Sequence, residues 1–367
     1  MTRKKKDYRQ LKMGSICDYE YKFTPMIRLQ GQWLDELKFS IGEPILVKCE
    51  EGKLILTVDH ERLVAEEKEQ AFIDEEMKKL KKKFEAEKKK TVSADCCGEG
   101  SEVLRMQGKI IMIGSMKGGV SKTVTTHNLA YSLCKLGKKV LAVDFDSQAN
   151  LTTCFGVEDV ATVHVTIGHL MLNQIEDEDM PEPREYIINR NGVDFIPSSM
   201  VLSTVDSKLR LEMGAEKMLS YILEPLRNSY DYILIDTSPS LGALTINALA
   251  AADEVIITVN PQLLAMMGLQ DFLKTVKKIK SRVNERLSIV GILLVMCDTR
   301  TNICKTITEQ VNETFEGQIK IYDSMIPNKV KVGEAVYYAE PLLEYAPDCK
   351  ACEAYIELAK EVVADEE

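Results

Sequence analysis

Long hydrophobic runs are missing from this 367-residue chain: no apolar stretch approaches the ~20 residues that a membrane-crossing helix needs. The charged start, Thr2-Arg3-Lys4-Lys5-Lys6, is not followed by an apolar segment, so no secretory leader is expected. An extracellular cysteine framework is also lacking. The ten cysteines are scattered, which points to a reducing cytoplasm and to small buried apolar roles for most of them. A surplus of positive charge is absent: the net charge of −10 argues against a chain that is basic throughout. The ends differ, with a basic start and an acidic finish, Ala364-Asp365-Glu366-Glu367. A basic tip suits phosphate contact and a solvated tail equally. The histidines, His60, His127, His164 and His169, stand far apart and carry no catalytic assignment.

What is present divides into three segments, 1–58, 59–102 and 103–367. In the first, Met26-Ile27-Arg28-Leu29 reads as a strand and Gly31 to Leu37 as a helical turn or two. Ile45 to Cys49 and Lys53 to Val58 flank Glu50-Glu51-Gly52 as a hairpin. So small a unit has little to bury and would gain from pairing with a copy of itself. In the second segment, Asp59 to Lys90 is highly charged and free of Gly and Pro. Ile73, Met77, Leu80 and Phe84 form one helical stripe, suited to docking on a neighbour or to dimerisation. Ser93 to Glu102, with Gly98, Gly100 and the pair Cys96-Cys97, reads as a linker.

The third segment alternates helical stretches with apolar runs at Ile110–Ile113, Lys139–Val143, Tyr232–Ile235, Glu254–Val259 and Ile289–Val295. Near-continuous apolar strands separated by helices predict an α/β fold with a mostly parallel sheet covered by helices on both faces. Ligands of such sheets sit at the carboxyl ends of the strands. There the chain places Gly114-Ser115-Met116-Lys117-Gly118-Gly119-Val120-Ser121-Lys122-Thr123, then a helical run from Thr125 to Leu136. Strand, Gly-rich loop and helix make a P-loop, whose amides and helix start converge on phosphate. Gly118 and Gly119 allow close backbone approach, Lys122 would neutralise the β- and γ-phosphates, and Thr123 offers a hydroxyl to Mg²⁺. Two acidic motifs follow at other strand ends, Asp144-Phe145-Asp146 and Asp236-Thr237-Ser238-Pro239, and carboxylates there can hold Mg²⁺ or its waters.

The Lys-Gly-Gly-x-x-Lys-Thr spacing, with Lys117 early in the loop, resembles the deviant Walker A motif of ParA/Soj-type partition ATPases and their MinD relatives. Met296-Cys297-Asp298-Thr299-Arg300-Thr301-Asn302, Ile326-Pro327, Glu334-Ala335, Pro341 to Tyr345 and Ala354 to Ala359 continue the likeness, which covers about Met106 to Val363. The resemblance implies ATP and Mg²⁺ as cofactors and an ATP-dependent homodimer. In that family the extra lysine reaches the partner's nucleotide, so Lys117 takes that role; Lys117, Lys122 and Asp146 are the catalytic set, with Asp146 orienting water. It places the nucleotide on Lys117, Gly118, Gly119, Val120, Ser121, Lys122, Thr123, Arg300 and Pro327, and the metal on Thr123 and Asp236.

Departures from the pattern are specific. Ser121 and Ala149 replace usual glycines, Val124 replaces a second Thr, and Ser147 replaces a Pro. Ser is strained where Gly accepts positive φ, so these changes bear on hydrolysis rate rather than binding. The family's basic Ile-Pro-Arg-Asn-Val-Arg segment reads Ile326-Pro327-Asn328-Lys329-Val330-Lys331, which makes Lys329 and Lys331 the candidate DNA contacts. The end, Lys360 to Glu367, is acidic and unlike the membrane helix of MinD-type members, so no membrane partner is expected. Cys349 and Cys352 have the spacing used by Mrp-type iron–sulfur carriers, but no second pair stands at a matching distance, and a structural role ranks first.

Ile27 to Leu34, Phe39 to Gly42 and the hairpin with Leu54-Ile55-Leu56-Thr57 resemble the SymE toxin family, of AbrB-like swapped-hairpin fold; the match covers about Leu11 to Val58. No acid–base pair there would cut RNA, so a dimerising or DNA-binding appendage is favoured over a nuclease. The leading expectation is a cytoplasmic partition ATPase, nucleoid-associated when ATP-bound and stimulated by a ParB-like partner. The alternatives are a nucleotide-gated DNA-binding regulator with little turnover and, more remotely, an RNA-targeting toxin.

Overall fold

The computed structural model describes residues 14–17, 23–26, 45–50, 53–58 and 107–365, the last span excepting 116, 117, 211, 213, 262, 299, 316 and 318. The chain divides into two compact units, Met1–Phe72 and Ile73–Glu367. In the first, β1 (Gly14–Cys17) pairs antiparallel with β2 (Phe23–Met26). The hairpin strands β3 (Ile45–Glu50) and β4 (Lys53–Val58) run in register from Ile45↔Val58 to Glu50↔Lys53. Of the strand expected at Met26–Leu29 only Met26 is described, as the last residue of β2, and residues 27–29 lie outside the described residues; Glu50 is strand rather than turn. Leu46 and Val47, neighbours on opposite faces of the hairpin, are both exposed. The helical turn at 31–37, the stripe from Ile73 to Phe84 and the linker at 93–102 lie outside the described residues.

In the second unit the elements are β5 (Lys109–Gly114), α1 (Lys122–Lys135), β6 (Val140–Phe145), α2 (Asn150–Cys154), α3 (Ile167–Ile175), α4 (Pro183–Tyr186), β7 (Ile188–Arg190), β8 (Val193–Ile196), α5 (Val201–Leu209), α6 (Met218–Leu223), β9 (Tyr232–Thr237), α7 (Ala243–Ala251), β10 (Glu254–Val259), α8 (Leu263–Arg282), β11 (Ser288–Leu294), α9 (Asn302–Phe315), α10 (Val330–Tyr337), α11 (Leu342–Tyr345) and α12 (Lys350–Ala364). The sheet order is β11-β10-β5-β9-β6-β8-β7, parallel throughout except for the β7–β8 hairpin at one edge. All five strands read from apolar runs are present. The edge hairpin went unread, although Asn191-Gly192 between its strands, with φ of 47° and 88°, is the standard two-residue turn signal.

The apolar runs are continuous because both sheet faces are covered. Ile110, Met112, Ile233, Ile235, Val255 and Ile257 point to one core, shared with Phe272 and Val276 of α8. Their alternates Ile111, Ile113, Leu234 and Ile256 point to the other, shared with Leu129 and Leu133 of α1 and Tyr355 and Leu358 of α12. Each fully buried Ile or Leu contributes about 1.5–3 kcal/mol of transfer free energy. This packing fixes the strand ends, and with them the loops that carry the motifs.

Candidate nucleotide site

β5 ends at Gly114, and the loop beyond it turns through Gly119 (φ +71°) into α1. Ser121 takes φ 53°, ψ 26°, the left-handed region, and its side chain makes no cap hydrogen bond. Its carbonyl accepts from the Thr125 amide at 2.8 Å, opening the helical ladder. The structure thus retains the conformation a glycine would adopt at position 121 and asks a serine to hold it. Ala149 repeats the arrangement before α2, at φ 53°, ψ 34°, in another position where the family has glycine. Met116 and the extra lysine, Lys117, lie outside the described residues.

Lys122, first in α1, is buried; burial pulls its ammonium below the usual lysine range, against the opposing influence of Asp236 and then Asp146. Asp236 lies near the end of β9, in register with Ile113 of β5 on one side and Asp144 of β6 on the other. Burial first, and the neighbouring Asp144 second, lift its carboxyl well above the usual carboxylate range; Thr123 and Lys122 act the other way. Neither Asp236 oxygen has a well-formed hydrogen bond. A buried carboxylate with no well-formed hydrogen bond, beside a hydroxyl and an ammonium, suits a hard cation that takes oxygen ligands. Among the described residues no three His, Cys, Asp or Glu side chains converge on a metal position. A cation here would therefore complete its shell with Thr123, phosphate and water, as magnesium does.

Asp144, quoted in the motif but assigned nothing from sequence, proves to be an anchor. It accepts from the Thr152 amide and hydroxyl, both at 2.7 Å, and from the Asp146 amide at 3.3 Å. The Thr152 hydroxyl in turn accepts from the Ser198 amide at 2.9 Å. Burial raises the Asp144 carboxyl to about 6, against these hydrogen bonds. The network ties β6, α2 and the segment after β8 together. Nothing local in the sequence signals Thr152 or Ser198. Asp146 is nearly buried, and its Oδ1 accepts from the Gln148 amide at 3.0 Å.

A cleft of about 690 Å³ opens beside the phosphate loop, walled by Ser121, Val124, Met296, Pro327, Tyr338 and Tyr355 among others. Pro327 reaches it because Cys297 and Pro327 form a parallel bridge, with Cys297 N donating to Ile326 O and Asn328 N to Cys297 O. Tyr337 and Tyr338, on the same wall, are strongly exposed, and Tyr338 stacks on Tyr345 at 5.7 Å between ring centroids. Arg300 is not part of this wall. Its guanidinium forks onto Asp298 with two 2.8 Å hydrogen bonds and is otherwise exposed, and it holds the Asp298 carboxyl below the usual range. Lys329 is exposed at the start of α10. Lys331 is exposed too, but pairs with Glu334 at 2.8 Å and lies over the Tyr345 ring. Cys349 precedes α12 half-buried, while Cys352 is buried in the core between α12 and the sheet.

Three comparisons with known proteins bear on this geometry. Residues 108–289 match the family described as an AAA domain, and residues 3–58 match toxin SymE of the type I toxin–antitoxin system. The sporulation initiation inhibitor protein Soj of Bacillus subtilis (strain 168) is 39% identical over 258 residues, covering 70% of this chain and 99% of its own. The chromosome-partitioning ATPase Soj of Treponema pallidum (strain Nichols) is 38% identical over 258 residues, 70% of this chain and 98% of its own. Among solved structures, cobyrinic acid a,c-diamide synthase from Mycobacterium smegmatis, with an ATP analogue and magnesium bound, is 26% identical at a TM-score of 0.60, covering 70% of this chain and 94% of its own. No helix among the described residues is long and apolar enough to cross a membrane. With this P-loop, these strand-end carboxylates and this extent of identity, the chain belongs to the ParA/Soj family of chromosome-partitioning P-loop ATPases.

Proposed function

We propose that this protein is a partition ATPase that binds ATP with Mg²⁺, dimerises on it and binds DNA in that state. The observation that carries the reading is the meeting of buried Lys122, Asp236 and Asp146 at adjacent strand ends beside an apolar cleft. The residues have separable tasks. Loop amides around Gly118 to Ser121 and the start of α1 receive phosphate, and Lys122 offsets its charge where water does not. The Val124, Met296, Pro327 and Tyr338 wall accepts the apolar faces of the nucleotide. Thr123 and Asp236 would hold magnesium, which when bound offsets the charge of the phosphate oxygens. Asp146, held by the Asp144–Thr152 network, accepts from the attacking water and aims it. Lys117 reaches across to the second protomer's nucleotide.

Dimerisation would be followed by release on hydrolysis, accelerated by a ParB-like partner. The 1–58 segment is an appended SymE-like module that dimerises or touches nucleic acid, joined by 59–102 to the ATPase domain at 103–367. The test is ATP binding by calorimetry with Lys122→Ala: the variant should lose binding, and equal affinity in both proteins would remove the reading. A second reading, a nucleotide-gated regulator with little turnover, is favoured by one observation. Ser121 and Ala149 hold left-handed backbone beside the phosphate and water-orienting groups, strain that a glycine would not carry.

A further inference from the structure

The nucleotide site lies at the carboxyl ends of the parallel strands, and α8 runs from that end back to the start of β11. Its second half therefore lies toward the opposite end of the sheet. Phe272, Leu273, Val276 and Ile279 form its buried face. Lys274, Lys277, Lys278, Lys280 and Arg282 are exposed, and Arg286 follows in the next turn, also exposed. Only Asp271 and Glu285 bring negative charge to this stretch, and Asp271 is already paired with Lys274 at 2.6 Å. Among the described residues no carboxylate pairs with Lys278, Lys280, Arg282 or Arg286.

Lys274, Lys278 and Arg282 recur every four residues, so they form one ladder of about 12 Å at 1.5 Å per residue. Like charges at that spacing repel along a helix. The helix dipole accounts for Lys280 and Arg282 in the last turn, but its influence does not reach Lys274 two turns earlier. In a chain of net charge −10, an outward row of cations in which only Lys274 has a carboxylate partner among the described residues, an exposed one on its own helix, is suited to a partner of dense negative charge. Duplex DNA carries one charge per about 1.7 Å of axis and needs no side-chain pockets for such contact.

We propose that the outward face of α8, through Lys274, Lys278 and Arg282, is a duplex-DNA phosphate surface separate from the nucleotide cleft. The proposal rests on the DNA-binding reading above. It places contacts where Lys329 and Lys331 do not reach, since α8 packs on the core of one sheet face and α10 anchors through Ala335 in the core of the other.

The test uses the full-length protein with ATP and Mg²⁺ and a random-sequence duplex, with affinity followed by fluorescence anisotropy over a salt series. Lys274→Gln/Lys278→Gln/Arg282→Gln should weaken binding at least tenfold at low salt. It should flatten the slope of log K against log salt by about two to three, at about 0.9 per phosphate contact. ATP affinity and basal hydrolysis should be unchanged, which separates the effect from misfolding. Wild-type-like DNA affinity and slope in the triple variant would overturn the surface while leaving the DNA reading intact. No DNA binding by ATP-loaded wild type would remove both. If wild type binds polyglutamate as tightly as the duplex at matched salt, the face is a generic acidic-partner surface and the duplex assignment falls.

Discussion

Asp144 and Asp236 stand opposite one another in register on adjacent parallel strands, both buried, each at the end nearest the phosphate loop. They differ in what they touch. Asp144 accepts three hydrogen bonds, while Asp236 has no well-formed one. Burial raises both carboxyls, reinforced at Asp236 by the neighbouring Asp144 and opposed at Asp144 by its hydrogen bonds, and only Asp236 is left to respond to what enters the site.

This pair gives the nucleotide-free protein a pH signature. A carboxyl raised to about 6 when folded binds more protons than in the unfolded chain, so the Asp144 contribution to stability is present at low pH and is lost as pH rises from about 4 to about 6. The span corresponds to at most about 3 kcal/mol. Asp144→Asn should flatten this part of the profile, measured by urea denaturation between pH 4 and pH 8. An unchanged profile in the variant would mean that Asp144 is not raised.

Relief of strain is the second expectation. A non-glycine residue in the left-handed region costs about 1–2 kcal/mol, and glycine returns about 0.5–1 kcal/mol through its freer unfolded chain. Ser121→Gly and Ala149→Gly should each be neutral to about 1 kcal/mol stabilising. If strain limits the chemistry, they should also raise ATP turnover. Destabilisation by either change, seen in the same denaturation assay, would show that the side chains hold these turns by contacts worth more than the strain.

The lysines of the loop and the DxD aspartate should separate binding from turnover. Lys122→Ala removes the buried cation and should lower ATP affinity by at least about 100-fold, equivalent to roughly 2.7 kcal/mol. Lys117→Ala should keep ATP binding and lose the ATP-dependent dimer, whereas Asp146→Ala should accumulate it, as read by light scattering. A Lys117→Ala protein that dimerises on ATP like wild type would exclude the shared-nucleotide arrangement.

At α10 the two lysines should not be equal. Lys331 already pairs with Glu334, while Lys329 makes no such contact. Lys329→Ala should flatten the salt dependence of DNA binding by up to about one contact, near 0.9. Lys331→Ala should do less, because forming its phosphate contact requires breaking an ion pair. Equal slopes would mean that Glu334 releases Lys331 at little cost. Deleting residues 1 to 102 completes this test: full ATP-dependent binding by the remainder places the DNA surface in the ATPase domain, and loss with dimerisation retained assigns it to the appended module.

Strand and loop positions were legible because their causes are local. Ile110–Ile113, Tyr232–Ile235 and Glu254–Val259 are apolar in both phases of the pleat, a pattern only a doubly covered sheet needs, and Lys122 sits where a strand yields to a helix. The left-handed turns at Ser121 and Ala149 were also foreshadowed, since the chain bends there as a glycine would. The Asn191-Gly192 hairpin was equally local but short, and its three- and four-residue strands carry little periodicity.

Other features belong to the tertiary structure alone. The register that sets Asp144 beside Asp236 joins residues 92 positions apart, and the cleft draws Val124, Met296, Pro327 and Tyr355 from four separate elements. The resemblance assigns Arg300 to the nucleotide; the contact it makes in the structure, a fork onto Asp298 two residues away, is not legible in that resemblance. Sequence patterns report which face of an element is apolar and where the backbone must turn. Which polar ends meet is set by sheet order and register, because these follow from packing of the whole core rather than from any one segment.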